Sequence, residues 1–306
     1  MKRVLLATEK VLAETAVEKI SGVFRQAGYQ LNILLKYQSK SELLQAVADV
    51  DALIVRSDVV DHDVLNAGQK LKIVVRAGAG YDNVDAAFAR EKGIVVMNTP
   101  GQNSNAVAEL AIGLAIYGIR EFFNGKAGGE LRGRTLGLHG YGYVARNVHR
   151  IARGLGMNVK VYTRYSKAQA VSEGLEVTAS LEELYAVSDI VSIHVPARGE
   201  HIGSVSMPVL KYLKKNALII NTARKEVVQE ADLCRFLEER TDVRYLSDIT
   251  PDCADVFKEK FEGRYFFTPK KIGAQTEEAN TNAGIAAAEQ IVAFFESGDE
   301  TFRVNR

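Results

Sequence analysis

The segment "GYGYVA" has the residue types and spacing of a dinucleotide-binding turn. Gly140, Gly142 and Ala145 follow an apolar strand and open a helix, which is the context that this motif requires. The first glycine permits the tight turn, the second lets the backbone approach a pyrophosphate, and the small third residue lets the helix pack on the strand. The free N–H groups where the helix begins, around Tyr143 and Val144, favour binding of the diphosphate. The alternative is a turn that is merely tight.

The next strand, in "KVYTRYSK", ends on Thr163 and Arg164, where such folds usually carry an Asp or Glu that binds the adenosine ribose. An acid repels a 2'-phosphate, whereas an adjacent Arg accommodates one. The predicted cofactor is therefore NAD(H) or NADP(H), with a leaning to NADP(H), and Ser166 and Lys167 are expected to add hydrogen bonds and charge. The alternative is a solvated surface loop beside an NAD site.

Polar residues follow three strands of the second half of the chain, in "SIHVPA", "NTAR" and "SDIT". Ligands of open parallel sheets bind outside the carboxyl ends of the strands, so His194, Arg224 and Asp248 are candidates for a site. For each of them alone, a solvated loop residue is an equally good interpretation. Their recurrence after successive strands favours the site.

The elements that would position these residues alternate between short apolar strands and amphipathic helices along the chain. This alternation predicts an α/β protein with two doubly wound parallel-sheet domains, one flavodoxin-like and one a Rossmann domain, and a cleft between them. The predicted substrate domain takes residues 1–103 and 277–306, and the predicted dinucleotide domain takes residues 104–276. A long apolar helix is predicted over about residues 104–122, and an Ala-rich helix over about residues 276–297.

Bulk composition argues against several classes of function. The chain has 306 residues, 47% of them hydrophobic, and a formal net charge of +1 without a basic block, which argues against a nucleic-acid or membrane partner. Cys234 and Cys253 lack the spacing of metal ligands or of a disulfide scaffold, so we expect no metal and a reducing compartment. Too few apolar residues follow the basic N-terminus for a signal peptide, and Glu109 interrupts the longest apolar run. A soluble, cytoplasmic protein is the expectation.

Six motifs, in chain order, resemble those of D-2-hydroxyacid dehydrogenases: "VRAGAGYDNVD", "NTPGQNSNAVAEL", "GYGYVA", "HVPA", "NTARKEVV" and "TPKKIGAQTEEA". Within that family the chain is most similar to the short D-3-phosphoglycerate dehydrogenases, which lack C-terminal regulatory domains. The resemblance spans essentially the whole chain. It implies hydride transfer between a nicotinamide and a small 2-hydroxy or 2-oxo acid in the cleft.

The resemblance also assigns roles to individual residues. Arg224 matches the arginine that holds the substrate carboxylate and 2-oxygen, a contact that suits a bidentate guanidinium. The backbone N–H groups of Ala79 and Gly80 match those that bind the other side of the carboxylate. Asn103 is likewise assigned to the substrate.

On the cofactor side, Asp248 matches the acid that orients the nicotinamide carboxamide. The loop from His194 to Pro196 matches the one that lines the cofactor, and Ala223 is assigned to the cofactor as well.

The chain departs from the family pattern at its acid/base pair. Lys271 stands where the family usually has a His, and Asp252 and Cys253 stand where the Glu that holds this His would fall. A lysine can act as the base if apolar surroundings or a nearby cation lower its pKa, and Arg224 is the expected cation. The predicted catalytic residues are therefore Arg224 and Lys271. The alternative is that Lys271 only binds substrate while water or Lys270 handles the proton.

Arg56 and Arg76 match arginines that face the substrate phosphate, which favours a phosphorylated acid over lactate or glyoxylate. The implied reaction is oxidation of D-3-phosphoglycerate to 3-phosphohydroxypyruvate, the entry to L-serine biosynthesis in proteins of this type. One alternative is an NADPH-dependent reductase of hydroxypyruvate or glyoxylate, or a dehydrogenase of another phosphorylated acid. Another is a nucleotide-sensing module that has lost the chemistry. A homodimer is expected.

Overall fold

The computed structural model describes all 306 residues of the chain. The strands are β1 Arg3–Thr8, β2 Gln30–Leu35, β3 Ala52–Val55, β4 Ile73–Arg76, β5 Val95–Asn98, β6 Thr135–His139, β7 Asn158–Tyr162, β8 Glu176–Val177, β9 Ile190–Ile193, β10 Leu218–Asn221, β11 Arg244–Ser247 and β12 Tyr265–Phe267. The α-helices are α1 Glu14–Gln26, α2 Lys40–Val47, α3 His62–Ala67, α4 Ala86–Glu91, α5 Ser104–Ile119, α6 Tyr143–Gly154, α7 Lys167–Ser172, α8 Leu181–Val187, α9 Met207–Leu210, α10 Glu230–Glu239, α11 Ala254–Lys260 and α12 Glu277–Ser297. Short 3-10 helices lie at Glu121–Phe123, Gly199–His201 and Lys225–Val227.

The chain divides into two compact units. Unit 1 consists of Met1–Asn103 and Gln275–Arg306, and unit 2 consists of Ser104–Ala274. Each unit has its own parallel sheet, so the predicted fold class of two parallel-sheet α/β domains is confirmed. None of the helices combines the length and the apolar character that a membrane crossing requires.

Unit 1 is built on a five-stranded parallel sheet in the order β2-β1-β3-β4-β5, which is the flavodoxin-like order. Every residue of β3 is buried, because a parallel sheet covered by helices on both faces needs strands that are apolar on both sides. On one face, Ile20 and Phe24 of α1 pack with Ala287 and Ile291 of α12. The C-terminal helix thereby belongs to the same core as the first strands of the chain.

Unit 2 is built on a seven-stranded parallel sheet in the order β12-β11-β10-β9-β6-β7-β8. Within this unit the chain first forms β6, an interior strand, adds β7 and β8 on one side of it, and then crosses to β9 on the other side. This reversal creates the topological switch point at which Rossmann folds bind dinucleotides. It lies beyond the carboxyl ends of β6 and β9.

Strand register decides which residues of unit 2 emerge together at that edge. His139 of β6 pairs with Ile193 of β9, which pairs with Asn221 of β10, which in turn pairs with Ser247 of β11. The residues that follow these four are therefore level with one another: Gly140, His194, Thr222 and Asp248. The expected gathering of polar residues after successive strands follows from this register.

Two elements differ from the sequence-based expectation. Helix α5 ends at Ile119, before the predicted end at residue 122, because the chain turns there through residues with positive φ, Glu121 to Phe123, and the Ile119 carbonyl accepts a hydrogen bond from the Gly129 N–H. Strand β12 was not predicted, because its three residues are too few to form a recognisable pattern.

Gly137, in β6, provides a test of the packing beneath the site. A Cβ at this position would overlap with the Ser188 hydroxyl, which is fully buried and donates to the Leu184 carbonyl at 2.6 Å. We expect Gly137→Ala to destabilise the protein by about 1 to 3 kcal/mol, since the hydroxyl would have to move and lose its bond. Urea unfolding followed by circular dichroism measures the change.

Gly113→Ala in α5 is the matched control, because a Cβ there meets open space. Removing a glycine from a helix interior should stabilise the protein by about 0.5 to 1 kcal/mol. Equal effects of the two substitutions would contradict the packing argument.

Candidate active site

The dinucleotide turn between β6 and α6 requires a glycine at its first position. Gly140 has a φ of 99°, and a Cβ on it would lie 2.8 Å from Val195 Cγ1 and 3.0 Å from the His194 carbonyl oxygen. Its N–H donates to the Tyr162 carbonyl at 2.9 Å. The turn is therefore held against the end of β7 and against the segment that follows β9.

Gly142 is the N-cap of α6, and no side chain caps the helix. The first N–H groups of such a helix lack intrahelical acceptors and carry the positive end of its dipole. Tyr143 is exposed and Val144 is half-buried at this end. The residues named by the "GYGYVA" motif thus form an open, positively polarised helix start that suits a diphosphate.

The segment after β7 is structured by its own side chains. Thr163 Oγ1 accepts a hydrogen bond from the Ser166 N–H at 3.3 Å. The Arg164 Nε donates to the Tyr162 hydroxyl at 3.3 Å, and its guanidinium forms an ion pair with Glu200. The strand that lacks an acid at its own end therefore has one beside it, supplied by the loop after β9.

His194 follows β9 and is packed into unit 2 through its backbone, whose N–H donates to the His139 carbonyl at 2.8 Å. Its Nε2 is buried and has no hydrogen-bond partner. Burial lowers the pKa of His194 to about 3, and burial also lowers that of His139 to about 3. Both imidazoles are neutral near pH 7, so neither is poised for acid/base catalysis.

Pro196, further along the same loop, is exposed, and its carbonyl accepts a hydrogen bond from the Arg198 N–H at 2.9 Å.

The loop after β10 is shaped by Asn221, which is fully buried. Its Oδ1 accepts from the Ala223 N–H at 2.9 Å and its Nδ2 donates to the Arg224 carbonyl at 3.0 Å. Within this loop the Arg224 guanidinium donates to the Ala223 carbonyl at 3.0 Å, and its side chain reaches solvent. Thr222 Oγ1 is buried without a partner. Asn221 therefore fixes the backbone from which Arg224 projects.

Asp248, which follows β11, is fully buried and holds the segment 268–273 in place. Its Oδ1 accepts from the Thr268 hydroxyl and from the Ile272 N–H, each at 2.9 Å, and its Oδ2 accepts from the Gly273 N–H at 2.8 Å. The role predicted from the resemblance, orientation of the nicotinamide carboxamide, stays a prediction. What the structure adds is that Asp248 positions the residues on either side of Lys271.

Lys271 lies above the loop that carries Arg224. Its Nζ donates to the carbonyls of Thr222 and Ala223 at 3.1 and 2.9 Å, and lies 3.9 Å from Asp248 Oδ2. The side chain is 40% exposed, and its ammonium is held by the two carbonyls beside the Asp248 carboxylate. Burial, followed by the positive charge of Arg224, lowers the pKa of Lys271 to about 8, against the opposing effect of Asp248. A lysine with this pKa exchanges a proton near neutral pH.

The two residues found at the family's Glu position have other partners. Asp252 Oδ1 accepts from Lys225 Nζ at 2.6 Å, and the backbone N–H groups of Asp252 and Cys253 donate to the Glu230 carboxylate. Burial raises the pKa of Cys253 and that of Cys234. Both thiols are therefore protonated at neutral pH, and Asp252 is already paired.

Unit 1 brings its own predicted residues together after β3 and β4. The Arg76 Nε donates to the Arg56 carbonyl at 2.8 Å, and the Arg76 guanidinium lies over Gly78, where a Cβ would overlap with it. The Arg56 guanidinium donates to Gln275 Oε1 at 3.1 Å, and its backbone N–H donates to the buried Asp58 at 3.2 Å. The Arg76 guanidinium thus lies beside the glycine-rich turn, and a hydrogen bond links Arg76 to the backbone of Arg56.

The remaining substrate candidates lie in and after that turn. Ala79 is exposed, Gly80 is half-buried, and the Ala79 carbonyl accepts from Asn98 Nδ2 at 2.6 Å. Asn103 is half-buried and is the last residue before α5. Their roles toward substrate stay predictions.

Three residues of the site were not singled out from the sequence. Asn221 and Thr268 position Arg224 and Lys271 by hydrogen bonds, and Glu200 pairs with Arg164. An Asn at the end of a strand often forms a turn by accepting a hydrogen bond from the backbone two residues further on, and "NTAR" contains such an Asn. Nothing in the sequence indicated the other two.

The donor set fits a dinucleotide and does not fit a metal ion. His194 Nε2 and Thr222 Oγ1 are buried polar atoms without hydrogen-bond partners. Their residues follow β9 and β10, at the same sheet edge as the uncapped start of α6. No group of three or more His, Cys, Asp or Glu side chains is arranged to hold a metal ion. The residues that would hold a dinucleotide are therefore present in unit 2.

Comparison with known proteins decides the family. The chain matches the D-isomer specific 2-hydroxyacid dehydrogenase family, catalytic domain, over residues 6–305. The chain belongs to this family. The resemblance inferred from the motifs is thereby confirmed, and the family uses a nicotinamide cofactor.

Relatives within the D-2-hydroxyacid dehydrogenases differ in their described activities. A D-3-phosphoglycerate dehydrogenase of Methanocaldococcus jannaschii is 36% identical over 276 residues, which cover 83% of this chain and 51% of that protein. The chain thus spans about half the length of this relative. A hydroxypyruvate reductase of Thermotoga maritima is 32% identical over 281 residues, covering 86% of this chain and 90% of that protein.

Among solved structures, the NAD+-bound 3-phosphoglycerate dehydrogenase of Entamoeba histolytica is similar over the whole chain. It is 43% identical, with a TM-score of 0.86, and the similarity covers 100% of this chain and 99% of that one.

The electrostatics of Lys271 give a prediction that needs no substrate. Arg224→Gln should raise the pKa of Lys271 above about 8, because the cation that disfavours the ammonium is removed. Glu226→Gln should lower that pKa, because Glu226 favours the ammonium. The pH dependence of Lys271 acylation by an amine-reactive reagent, followed by peptide mass spectrometry, measures both.

Arg235→Gln, an exposed arginine on α10 of the same unit, is the matched control. Unchanged acylation profiles in all three variants would show that burial alone sets the pKa of Lys271.

Proposed function

We propose that the chain is a nicotinamide-dependent dehydrogenase that interconverts D-3-phosphoglycerate and 3-phosphohydroxypyruvate. The observation that carries the proposal is the placement of Lys271: its Nζ is bonded to the Thr222 and Ala223 carbonyls of the loop that carries Arg224, and its pKa is lowered to about 8. Family membership and the similarity to the E. histolytica protein support it. In this proposal unit 2 binds the cofactor and unit 1 contributes phosphate-binding residues.

The chemistry follows from the side chains of unit 2. A bound nicotinamide would supply the hydride acceptor. Arg224 binds the substrate carboxylate and 2-oxygen through its guanidinium, and the neutral amine of Lys271 takes the proton of the 2-hydroxyl. In the reductive direction the Lys271 ammonium returns that proton and stabilises negative charge on the 2-oxygen. The neutral imidazole of His194 leaves Lys271 as the group with a suitable pKa.

We assign the phosphate of the substrate to Arg56 and Arg76 of unit 1, together with the N–H groups of Ala79 and Gly80 for the carboxylate. The Arg76 guanidinium over the glycine-rich turn, together with Arg56, whose carbonyl accepts from Arg76, suits a dianion, because charge-assisted hydrogen bonds to phosphate are stronger than neutral ones. We further propose a homodimer and a cytoplasmic location, as in a metabolic enzyme. The strand end Thr163–Arg164 leans to NADP(H), and the Glu200 carboxylate beside Arg164 opposes that leaning.

A reductase of hydroxypyruvate is the second candidate. The T. maritima relative is a hydroxypyruvate reductase, and the similarity covers 90% of that protein. The two candidates differ only in whether the phosphate of the substrate contributes to binding.

The first functional prediction separates them. Reduction of 3-phosphohydroxypyruvate should have a kcat/KM about 10²-fold or more above that of hydroxypyruvate, since a hydrogen bond to a charged group contributes about 1.5 to 3 kcal/mol. Arg56→Gln should lower kcat/KM for the phosphorylated substrate by about tenfold or more and leave that for hydroxypyruvate nearly unchanged. Steady-state kinetics with both acids measure these effects.

Arg90→Gln, an exposed arginine on α4 of unit 1, is the matched control. Equal kcat/KM for the two acids would favour the hydroxypyruvate reductase, and no turnover of either would favour a binding module without catalysis.

The second functional prediction concerns proton transfer. Lys271→Met should lower kcat by about 10²-fold or more while the affinity for cofactor changes little. In the wild-type protein kcat/KM for oxidation should rise as the pH passes through about 8, because the base must be neutral, and that for reduction should fall over the same range. The variant should lose both inflections.

Lys270→Met is the control, since it removes an adjacent exposed charge. A near-normal kcat with a raised KM in Lys271→Met would identify Lys271 as a binding residue only, and a large loss of kcat in Lys270→Met would assign the proton transfer to Lys270.

A further inference from the structure

The adenosine end of the proposed cofactor site contains an acid that the sequence pattern does not reveal. Glu200 lies in the 3-10 helix Gly199–His201, which follows β9, and its carboxylate forms an ion pair with Arg164, which follows β7. Strands β7 and β9 are the two neighbours of β6 in the sheet. The ion pair therefore joins the segments on either side of the Gly140 turn.

We propose that Glu200 selects NAD(H) over NADP(H) in this chain. Its carboxylate takes the place of the acid that is missing at the end of β7: it accepts hydrogen bonds from the ribose hydroxyls and repels a 2'-phosphate. This inference rests on the proposed function, because it presupposes a dinucleotide at the start of α6.

The residues at the end of β7 include no acid, so an acid for the ribose has to come from another segment, here the 3-10 helix that contains Glu200. In folds of this type the ribose is bound by an Asp or Glu at the end of the second strand, and here that position reads Thr163–Arg164. Thr163 Oγ1 already accepts from the Ser166 N–H. Among the side chains that bond or pair with Arg164, Glu200 alone carries a negative charge at neutral pH, since the other is the Tyr162 hydroxyl.

Glu200 could oppose NADP(H) in two ways, by holding Arg164 in the ion pair or by repelling the phosphate, and the exposure of the pair decides between them. The side chains of Arg164 and Glu200 are 56% and 41% exposed, and an ion pair of this kind contributes little to stability. Release of Arg164 from Glu200 is therefore not the main obstacle to NADP(H). The main obstacle is the carboxylate itself, which stays beside any phosphate that Arg164 would bind.

This reasoning gives opposite expectations for the two nucleotides when the charge of Glu200 is removed. A glutamine keeps the length and a hydrogen-bonding oxygen but no longer repels phosphate, and it leaves Arg164 and Lys167 as unopposed cations at the end of β7. NADP(H) should gain affinity, and NAD(H) should lose some because a neutral acceptor binds hydroxyl groups less strongly than a carboxylate.

The experiment measures dissociation constants of NADH and NADPH for the full chain without substrate, by the fluorescence of the reduced nicotinamide. The wild-type protein should bind NADH more tightly than NADPH. In Glu200→Gln the Kd of NADPH should fall roughly tenfold, while that of NADH rises a few-fold. Arg164→Ala combined with Glu200→Gln should remove the gain for NADPH, since Arg164 is the cation that provides it.

Glu238→Gln is the matched control. Glu238 lies on α10 of the same unit and forms a similarly exposed ion pair with Lys260, so its removal changes net charge equally without touching the ends of β7 and β9. Its ratio of NADH to NADPH affinity should equal that of the wild-type protein.

Two results would overturn the inference in distinguishable ways. A wild-type chain that binds both nucleotides, with an affinity ratio that Glu200→Gln leaves unchanged, would refute the role of Glu200 and leave the proposed function intact. A wild-type chain that binds neither nucleotide would refute the proposed function and, with it, the assignment of Glu200.

Discussion

The buried carboxylate of Asp248 is the interaction on which the candidate catalytic group depends. It accepts hydrogen bonds from Thr268, Ile272 and Gly273, so both ends of the segment around Lys271 are fixed to the end of β11. A buried carboxylate is costly unless its oxygens are satisfied, and three donors meet that requirement here. The same carboxylate lies 3.9 Å from Lys271 Nζ, where it partly offsets the effect of burial. One acid thus contributes both position and charge.

Parallel strand pairing converts this local anchor into a site. Because β6, β9, β10 and β11 pair in register, the residues after each strand lie at one edge of the sheet, and short loops carry Arg224 and Lys271 back over it. Asn221 closes the loop after β10 on itself, which orients the carbonyls of Thr222 and Ala223 as acceptors for Lys271. The strands thereby bring to one sheet edge groups that are far apart along the chain and that the proposal assigns to one site.

How much the sequence could predict depends on how local each feature is. The Gly140 turn, the alternation of strands and helices and the candidates after strand ends were predictable, because each rests on neighbouring residues and on the register of parallel sheets. The pairing of Arg164 with Glu200 was not, since the partners are 36 residues apart and meet only through the placement of β7 and β9. The three-residue strand β12 also escaped prediction, because it is shorter than any periodic pattern. The sequence could state only the condition under which the pKa of Lys271 would be lowered, namely apolar surroundings or a nearby cation. Whether the side chain is buried depends on the fold.

In the proposed mechanism, a lysine in place of the family's histidine changes how the pKa of the acid/base group is set. The family's histidine is paired with a Glu, which orients the imidazole and favours its protonated form. The pKa of Lys271 is instead lowered from 10.5 to about 8 by burial and by the charge of Arg224. When a carboxylate binds Arg224, its negative charge offsets that of the guanidinium, so the pKa of Lys271 rises. Binding of the proposed substrate would therefore shift Lys271 toward the ammonium, which is the form that donates the proton in the reductive direction. A further acid beside the lysine, such as the Glu that holds the family's histidine, would add to the effect of Asp248, raise the pKa of Lys271 and leave less neutral amine for the oxidative direction.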